Sequence, residues 1–127
     1  MTAALVLAGV AALVHVYIFW LESFAWMSPR GRATFGTTEE QARTTKELAF
    51  NQGFYNLFLA LVTIVGIVLV AVDQTAVGAA LLYAGAGSMV AAGLVLWISS
   101  PSKAKAALVQ LTAPALSLIA LTIALLA

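Results

Sequence analysis

The chain has 127 residues, of which 63% are hydrophobic and only 9% are charged, and its formal net charge is +1. Soluble domains carry roughly 25% charged residues, so this composition excludes a protein whose whole surface faces water. The near-neutral charge gives no support for nucleic-acid binding. The absence of cysteine excludes disulfides, thiolate metal sites and thiol nucleophiles. We therefore expect a small integral membrane protein with one domain over residues 1–127.

Four apolar stretches are each long enough to cross a hydrocarbon core as a helix, which takes ~20 residues. They cover about residues 3–27, 48–72, 76–99 and 106–126. None shows the alternation of period two that is typical of barrel strands, and a helix satisfies its backbone groups within one segment. We predict an all-α bundle of four transmembrane helices. The first span has no basic residue at its amino end, which argues against a removable signal peptide.

The basic residues predict the orientation of the spans. All six lie in the first or third connection: Arg30, Arg32, Arg43, Lys46, Lys103 and Lys105. Under the positive-inside rule both connections face the cytoplasm. We expect residues 28–47 to form a cytoplasmic loop and both termini to lie outside, in a bacterial inner membrane.

Turn and capping residues mark the ends of the first two spans. The sequence Ser28-Pro29-Arg30-Gly31 is a stop signal after the first span. Capping-box spacing occurs at Thr37–Glu40 and again at Thr44–Glu47, so the second helix could begin at either place. A start at Thr38 gives a helix of ~50 Å, whose first turns extend beyond the bilayer.

Two ionisable side chains lie inside the first span, where they are costly and usually face a bundle interior or water. His15 and Glu22 are seven residues apart and share one helix face, with Phe19 and Trp26 on the same stripe. Their axial separation is ~10 Å. Glu22 lies near the predicted cytoplasmic end, and His15 lies nearer the middle of the membrane.

The second span opens with a polar cluster on one half of the helix: Asn51, Gln52, Gly53, Tyr55 and Asn56. In the fourth span, Pro114 leaves the carbonyl of Gln110 without its helical donor. We expect that carbonyl to find a partner among the carboxamides of the second span, at a similar depth. These residues predict a polar pocket open toward the cytoplasm, with His15 at its floor.

Each of these residues also has a purely structural interpretation. Asn, Gln and Tyr between membrane helices often serve only as interhelical hydrogen bonds. The Glu22 side chain can extend to the interface and pair with Arg30 or Arg32. His15 can be a neutral imidazole bonded to one partner.

The third span carries an unbroken stripe of small residues at a spacing of four: Ala76, Ala80, Ala84, Ser88 and Ala92. Gly78 and Gly85 lie on an adjacent stripe. Small residues let helix backbones approach closely. The stripe predicts packing inside the bundle or across a homodimer.

The chain resembles the domain of unknown function 1304 family of small bacterial and fungal membrane proteins. The matching elements are His15, Glu22 and Trp26, then Arg30-Gly31 with Phe35, and Gln110 with Pro114-Ala115. The most specific element is the run from Asn51 to Ala60, which is similar to the family's Asn-Gln-Gly-x-Tyr-Asn signature. The resemblance covers nearly the whole chain and implies a four-helix membrane protein. Some members carry an epimerase label, and no residue here points specifically to sugar chemistry.

Four functions are consistent with these residues. The first is binding of a lipid or small amphipathic molecule by His15, Glu22, Trp26, Asn51, Gln52, Tyr55, Asn56 and Gln110. The second is an isomerase or epimerase with Glu22 as base and Tyr55 or His15 as acid. The third is proton-coupled transport by a dimer, and the fourth is a structural assembly subunit. The sequence indicates no metal site and no cofactor.

Overall fold

The structure, a computed structural model, describes residues 1–127 and contains five α-helices and no strand. The helices are α1 (Thr2–Ser23), α2 (Pro29–Phe35), α3 (Glu39–Ala71), α4 (Thr75–Ser99) and α5 (Ala104–Leu126), with a 3₁₀ turn at Pro101–Lys103. All except α2 are long and apolar enough to cross a membrane. The predicted bundle of four membrane helices is therefore confirmed.

The four long helices form a square in which α1 and α4 each contact both α3 and α5. The pairs α1–α4 and α3–α5 lie on its diagonals. Because the connections are short, the chain alternates in direction from one long helix to the next. All six basic residues lie at the end where α1 and α4 finish and α3 and α5 begin, which we call the basic end.

Small residues hold the helices close together. Ala4 and Ala8 on α1 are buried, and Gly78 and Gly85 on α4 lie directly against α3. Helices in lipid gain little from the hydrophobic effect and associate through close packing and hydrogen bonds. The hydroxyl of Ser117 on α5 donates a buried 2.9 Å hydrogen bond to the Ala4 carbonyl and so ties α5 to α1.

The first connection differs from the prediction because it contains a helix. α1 ends at Ser23, four residues before the predicted boundary, and α2 begins at Pro29. Ser28 caps α2 by accepting from the Gly31 N–H at 3.1 Å, and proline at the first helical position fits this start. α2 ends at Gly36, whose φ of 64° is left-handed. The Ser-Pro signal therefore both follows one helix and begins another.

The cap of α3 also differs from both predicted pairs. Thr38 is the capping residue, and it exchanges hydrogen bonds with Gln41 in a complete capping box. The box closes with glutamine, Gln41, rather than with the glutamate of the two predicted pairs, and glutamine serves equally at this position. The resulting helix of 33 residues spans ~50 Å, longer than a hydrocarbon core of ~30 Å. Most residues of its first two turns are exposed, at the basic end.

The stripe of small residues on α4 lies on the outside of the bundle. All five of its members are exposed: Ala76, Ala80, Ala84, Ser88 and Ala92. The neighbouring stripe with Gly78 and Gly85 faces inward instead. Of the two predicted uses, packing inside the bundle is wrong for the five-residue stripe, and homodimerisation stays a prediction.

Candidate functional site

A carboxylate–carboxamide contact joins α1 to α3 near the basic end. Glu22 is the penultimate residue of α1, and its Oε2 accepts a 2.7 Å hydrogen bond from Nδ2 of Asn56. The same Asn56 amide lies 3.2 Å from the Gln52 carbonyl of its own helix. Asn56 is only 8% exposed, so this contact is held inside the helix interface. The Asn56 amide thus fixes one oxygen of Glu22.

Gly53 lets the two helices approach closely enough for that contact. A Cβ atom at this position would lie 2.9 Å from the Phe19 carbonyl oxygen and 3.0 Å from the Ser23 nitrogen. Ser23 uses the same approach to donate a 2.9 Å hydrogen bond to the Phe50 carbonyl of α3. The glycine of the Asn-Gln-Gly-x-Tyr-Asn run is therefore a packing residue, not a ligand-binding one.

A cavity of about 750 Å³ opens beside this contact at the basic end. Its walls come from the end of α1, the link between α2 and α3, the first half of α3 and the 3₁₀ turn. Its polar side chains include Glu22, Asn51, Gln52, Tyr55 and Lys103. We call this cavity the polar pocket. Its volume lies within the range of roughly 300–1,000 Å³ that is usual for small-molecule sites.

The carboxamides are turned in different directions. Asn51 donates to the Glu47 carbonyl at 3.2 Å, while the Gln52 side chain makes no hydrogen bond within the chain. Asn51, Gln52 and Tyr55 are exposed and line the polar pocket, whereas Asn56 faces α1. The predicted polar half of the helix is thus divided between the cavity and the helix interface.

Trp26 lies in the polar pocket but not on the predicted helix stripe. Because α1 ends at Ser23, this residue belongs to the turn that follows. Its indole Nε1 donates to the Ala42 carbonyl at 3.1 Å and to the Thr45 hydroxyl at 3.2 Å. Its ring packs against Phe35 of α2, with centroids 5.2 Å apart. Trp26 thereby fastens the α1–α2 turn to the start of α3.

His15 does not form the floor of the polar pocket. Its side chain is 1% exposed in the bundle interior and lines neither of the two large cavities. Nδ1 donates a 2.9 Å hydrogen bond to the Ala11 carbonyl one turn earlier. The shared helix face with Glu22 did not place the imidazole in the cavity, because the helices close over it at mid-bundle.

Gln110 lies in a different cavity from the α3 carboxamides. It lines a groove between α1, α2 and α5, and none of those carboxamides bonds to its carbonyl. The expected partnership fails because α3 and α5 occupy diagonal corners of the square. Similar depth in the membrane did not bring the residues together.

Eight of the 13 lining residues of the polar pocket were missed by sequence reasoning, among them the polar residues Gln41, Thr45 and Lys103. Gln41 and Thr45 lie on the first turns of α3, and Lys103 lies on the 3₁₀ turn before α5. The helical spacing from Gln41 and Thr45 to Gln52 could have indicated the first two. No local pattern indicates Lys103, since its approach depends on how α4 and α5 pack.

Comparison with known proteins identifies a family but no activity. The family described as "Protein of unknown function (DUF1304)" matches residues 9–122 of the chain. No curated protein and no solved structure matches it. The matched region includes α2, α3, α4, most of α1 and most of α5, and therefore both sides of the polar pocket. The chain belongs to the DUF1304 family of proteins of unknown function.

Proposed function

We propose that this membrane protein uses its polar pocket to bind a lipid or small amphipathic molecule whose polar end carries hydrogen-bond donors. The proposal places the basic end in the cytoplasm, as the positive-inside rule predicts, in a bacterial inner membrane. The single observation that carries the proposal is the Glu22 carboxyl, fixed by Asn56 at 2.7 Å, at the wall of a 750 Å³ cavity. A carboxyl group held inside a membrane helix is costly and is therefore typical of a functional site.

The composition of the pocket wall supports an amphipathic ligand. Glu22 and Gln52 offer acceptor oxygens, Tyr55 and Lys103 offer donors, and Leu48 and Ala49 add apolar surface. Hydroxyl or ammonium groups of a ligand can bond the carboxyl oxygen that Asn56 leaves free. Exposed side chains of α3 line the pocket at the basic end, and the proposal puts its entrance at the lipid–water boundary there.

Substitution of Glu22 tests the proposal. We expect Glu22→Gln to weaken binding of monooleoylglycerol by about tenfold, because a hydrogen bond to a charged group is worth ~1.5–3 kcal/mol. The measurement is a titration of the detergent-purified protein followed by native mass spectrometry. Glu40→Gln is the matched control, since it removes the same charge from an exposed position of α3 outside the pocket.

The same titration separates ligand binding from a structural role. Asn51→Ala removes a pocket carboxamide whose only bond within the chain is to its own helix. We expect this variant to keep its thermal stability and lose affinity. Unchanged affinity in both pocket variants, together with reduced stability, would instead favour an assembly subunit.

A membrane isomerase or epimerase is the second candidate. Glu22 and Tyr55 line the same cavity, as a base and an acid acting on one substrate must. The test is incorporation of deuterium from D₂O into a bound amphipathic molecule, read by mass spectrometry. If Tyr55 is the acid, Tyr55→Phe should incorporate at least tenfold less deuterium per bound molecule than the unsubstituted protein. Equal incorporation in both proteins would remove Tyr55 as the acid.

We further propose that two chains associate through the exposed stripe on α4. Replacing Ala80 and Ala84 together with leucine should separate the helices and convert dimers to monomers in bilayers. Energy transfer between labelled chains in vesicles measures the change. Thr112→Leu, on the exposed face of α5, should leave the dimer intact. A monomeric unsubstituted protein would contradict this proposal.

A further inference from the structure

A second cavity lies on the other flank of α1, between α1, α2 and α5. Its volume is about 480 Å³, and it shares no lining residue with the polar pocket. We propose that this cavity, which we call the lateral groove, binds one anionic phospholipid from the membrane leaflet at the basic end. The headgroup phosphate lies between Arg30 and Lys105, and an acyl chain lies along α1 and α5.

The wall of the lateral groove is mainly apolar, since eight of its 12 lining residues are hydrophobic. Val14, Ile18 and Leu21 are spaced by four and three residues, so they form one stripe ~10 Å long down α1. Val109 faces them from α5 and is 59% exposed. The groove is therefore a channel open along the bundle surface, as an acyl chain requires.

Its polar residues are basic or neutral, and they gather toward one end of the groove. Arg30 is the second residue of α2 and Lys105 is the second residue of α5, both at the basic end. No carboxylate lines the groove, and the single ion pair of the chain joins Arg43 to Glu39. Arg30 and Lys105 therefore have no acidic partner within the protein. A lipid phosphate supplies the missing charge, and basic pockets between membrane helices commonly bind such headgroups.

Gln110 gives the groove a further polar contact one to two turns deeper than Lys105. Its side chain lines the groove and makes no hydrogen bond within the chain. At that depth its amide can donate to an ester oxygen of the lipid. The polar pocket is less suitable for an anionic lipid, because Glu22 lies in its wall. The lateral groove, which no carboxylate lines, therefore suits an anionic headgroup better than the polar pocket does.

The experiment uses the full chain reconstituted in phosphatidylcholine nanodiscs with and without phosphatidylglycerol. After release from the discs, native mass spectrometry counts the phosphatidylglycerol molecules retained by each chain. We expect one retained molecule in the unsubstituted protein and a roughly tenfold lower occupancy in the double variant Arg30→Gln/Lys105→Gln. The matched control Arg43→Gln/Lys46→Gln makes the same change in charge outside the groove and should retain the lipid.

A second variant tests the apolar wall with both cations in place. Val109→Trp fills the open side of the groove and should lower retention about as much as loss of the charges. Water-soluble glycerol 1-phosphate should not displace the lipid, because it lacks the acyl chain. Equal retention in the two double variants would overturn the proposal. Full displacement by glycerol 1-phosphate would also overturn it, by assigning the groove to a free phosphate compound.

Discussion

Gly53→Ala is expected to lower the free energy of unfolding by about 1–3 kcal/mol, and Gly53→Val by more. The added Cβ would lie within 3.0 Å of backbone atoms of Phe19 and Ser23, and the Ser23 hydroxyl is closer still. That hydroxyl cannot move without losing its hydrogen bond to the Phe50 carbonyl. The helices must therefore separate, and the Glu22–Asn56 contact lengthens with them.

The sign of this effect distinguishes packing from helix propensity. Alanine is favoured over glycine in a helix by about 1 kcal/mol, so a site with free space should gain stability. Gly9→Ala on α1 and Gly87→Ala on α4 are the matched controls, because no atom lies within 4 Å of the added Cβ at either position. Detergent unfolding followed by circular dichroism measures all three variants. A Gly53→Ala protein as stable as these controls would contradict the close approach of α1 and α3.

Gly31→Ala is expected to detach α2 from the end of α1. The added Cβ would lie 3.0 Å from the Trp26 carbonyl oxygen and closer to the Ala25 carbonyl oxygen. Both are backbone atoms of a turn that Ser28 already holds in place, because its hydroxyl donates a 2.6 Å hydrogen bond to the Ala25 carbonyl. With α2 displaced, the Phe35 ring leaves Trp26. We expect trypsin to cleave after Arg30 and Arg32 about tenfold faster, since cleavage follows the population of the locally open form.

Tryptophan fluorescence provides a second measurement for the Gly31 variant. The Trp26 indole bonds Ala42 and Thr45, and its ring packs against Phe35. Loss of the Phe35 contact exposes the indole to water, so its emission should shift to longer wavelength. Gly36→Asn is the control at the other end of α2. Asparagine tolerates the left-handed backbone there, and the added Cβ meets open space. Cleavage at the same rate in both variants would show that α2 does not depend on the Gly31 contact.

The Asn-Gln-Gly-x-Tyr-Asn run of residues 51–56 has two roles. Gly53 and Asn56 face α1, where they set the helix separation and fix Glu22. Asn51, Gln52 and Tyr55 face the polar pocket. One short segment therefore supplies both the packing and the polar wall of the candidate site, so variants within it must be assigned by separate stability and binding measurements.

The sequence by itself predicted the number of membrane helices and the residues of the α3 polar cluster. Both depend on local properties: continuous apolar length for the spans, and helical periodicity for the face that holds Asn51, Gln52 and Tyr55. It also predicted that α3 could begin as early as Thr38 and extend beyond the bilayer. It missed α2, because Ser-Pro-Arg-Gly is typical both of the end of one helix and of the start of the next.

Only the tertiary structure decided which polar residues share a cavity. Periodicity placed His15 on the Glu22 face and depth placed Gln110 near the carboxamides, yet His15 is enclosed in the bundle and Gln110 lies in the lateral groove. Lys103 lines the polar pocket from the 3₁₀ turn before α5, which is distant in sequence from α3. The physical reason is that periodicity and depth give position along and around one helix, whereas a cavity depends on which helices are neighbours. In this bundle α1 lies between α3 and α5, and that arrangement separates the two sites.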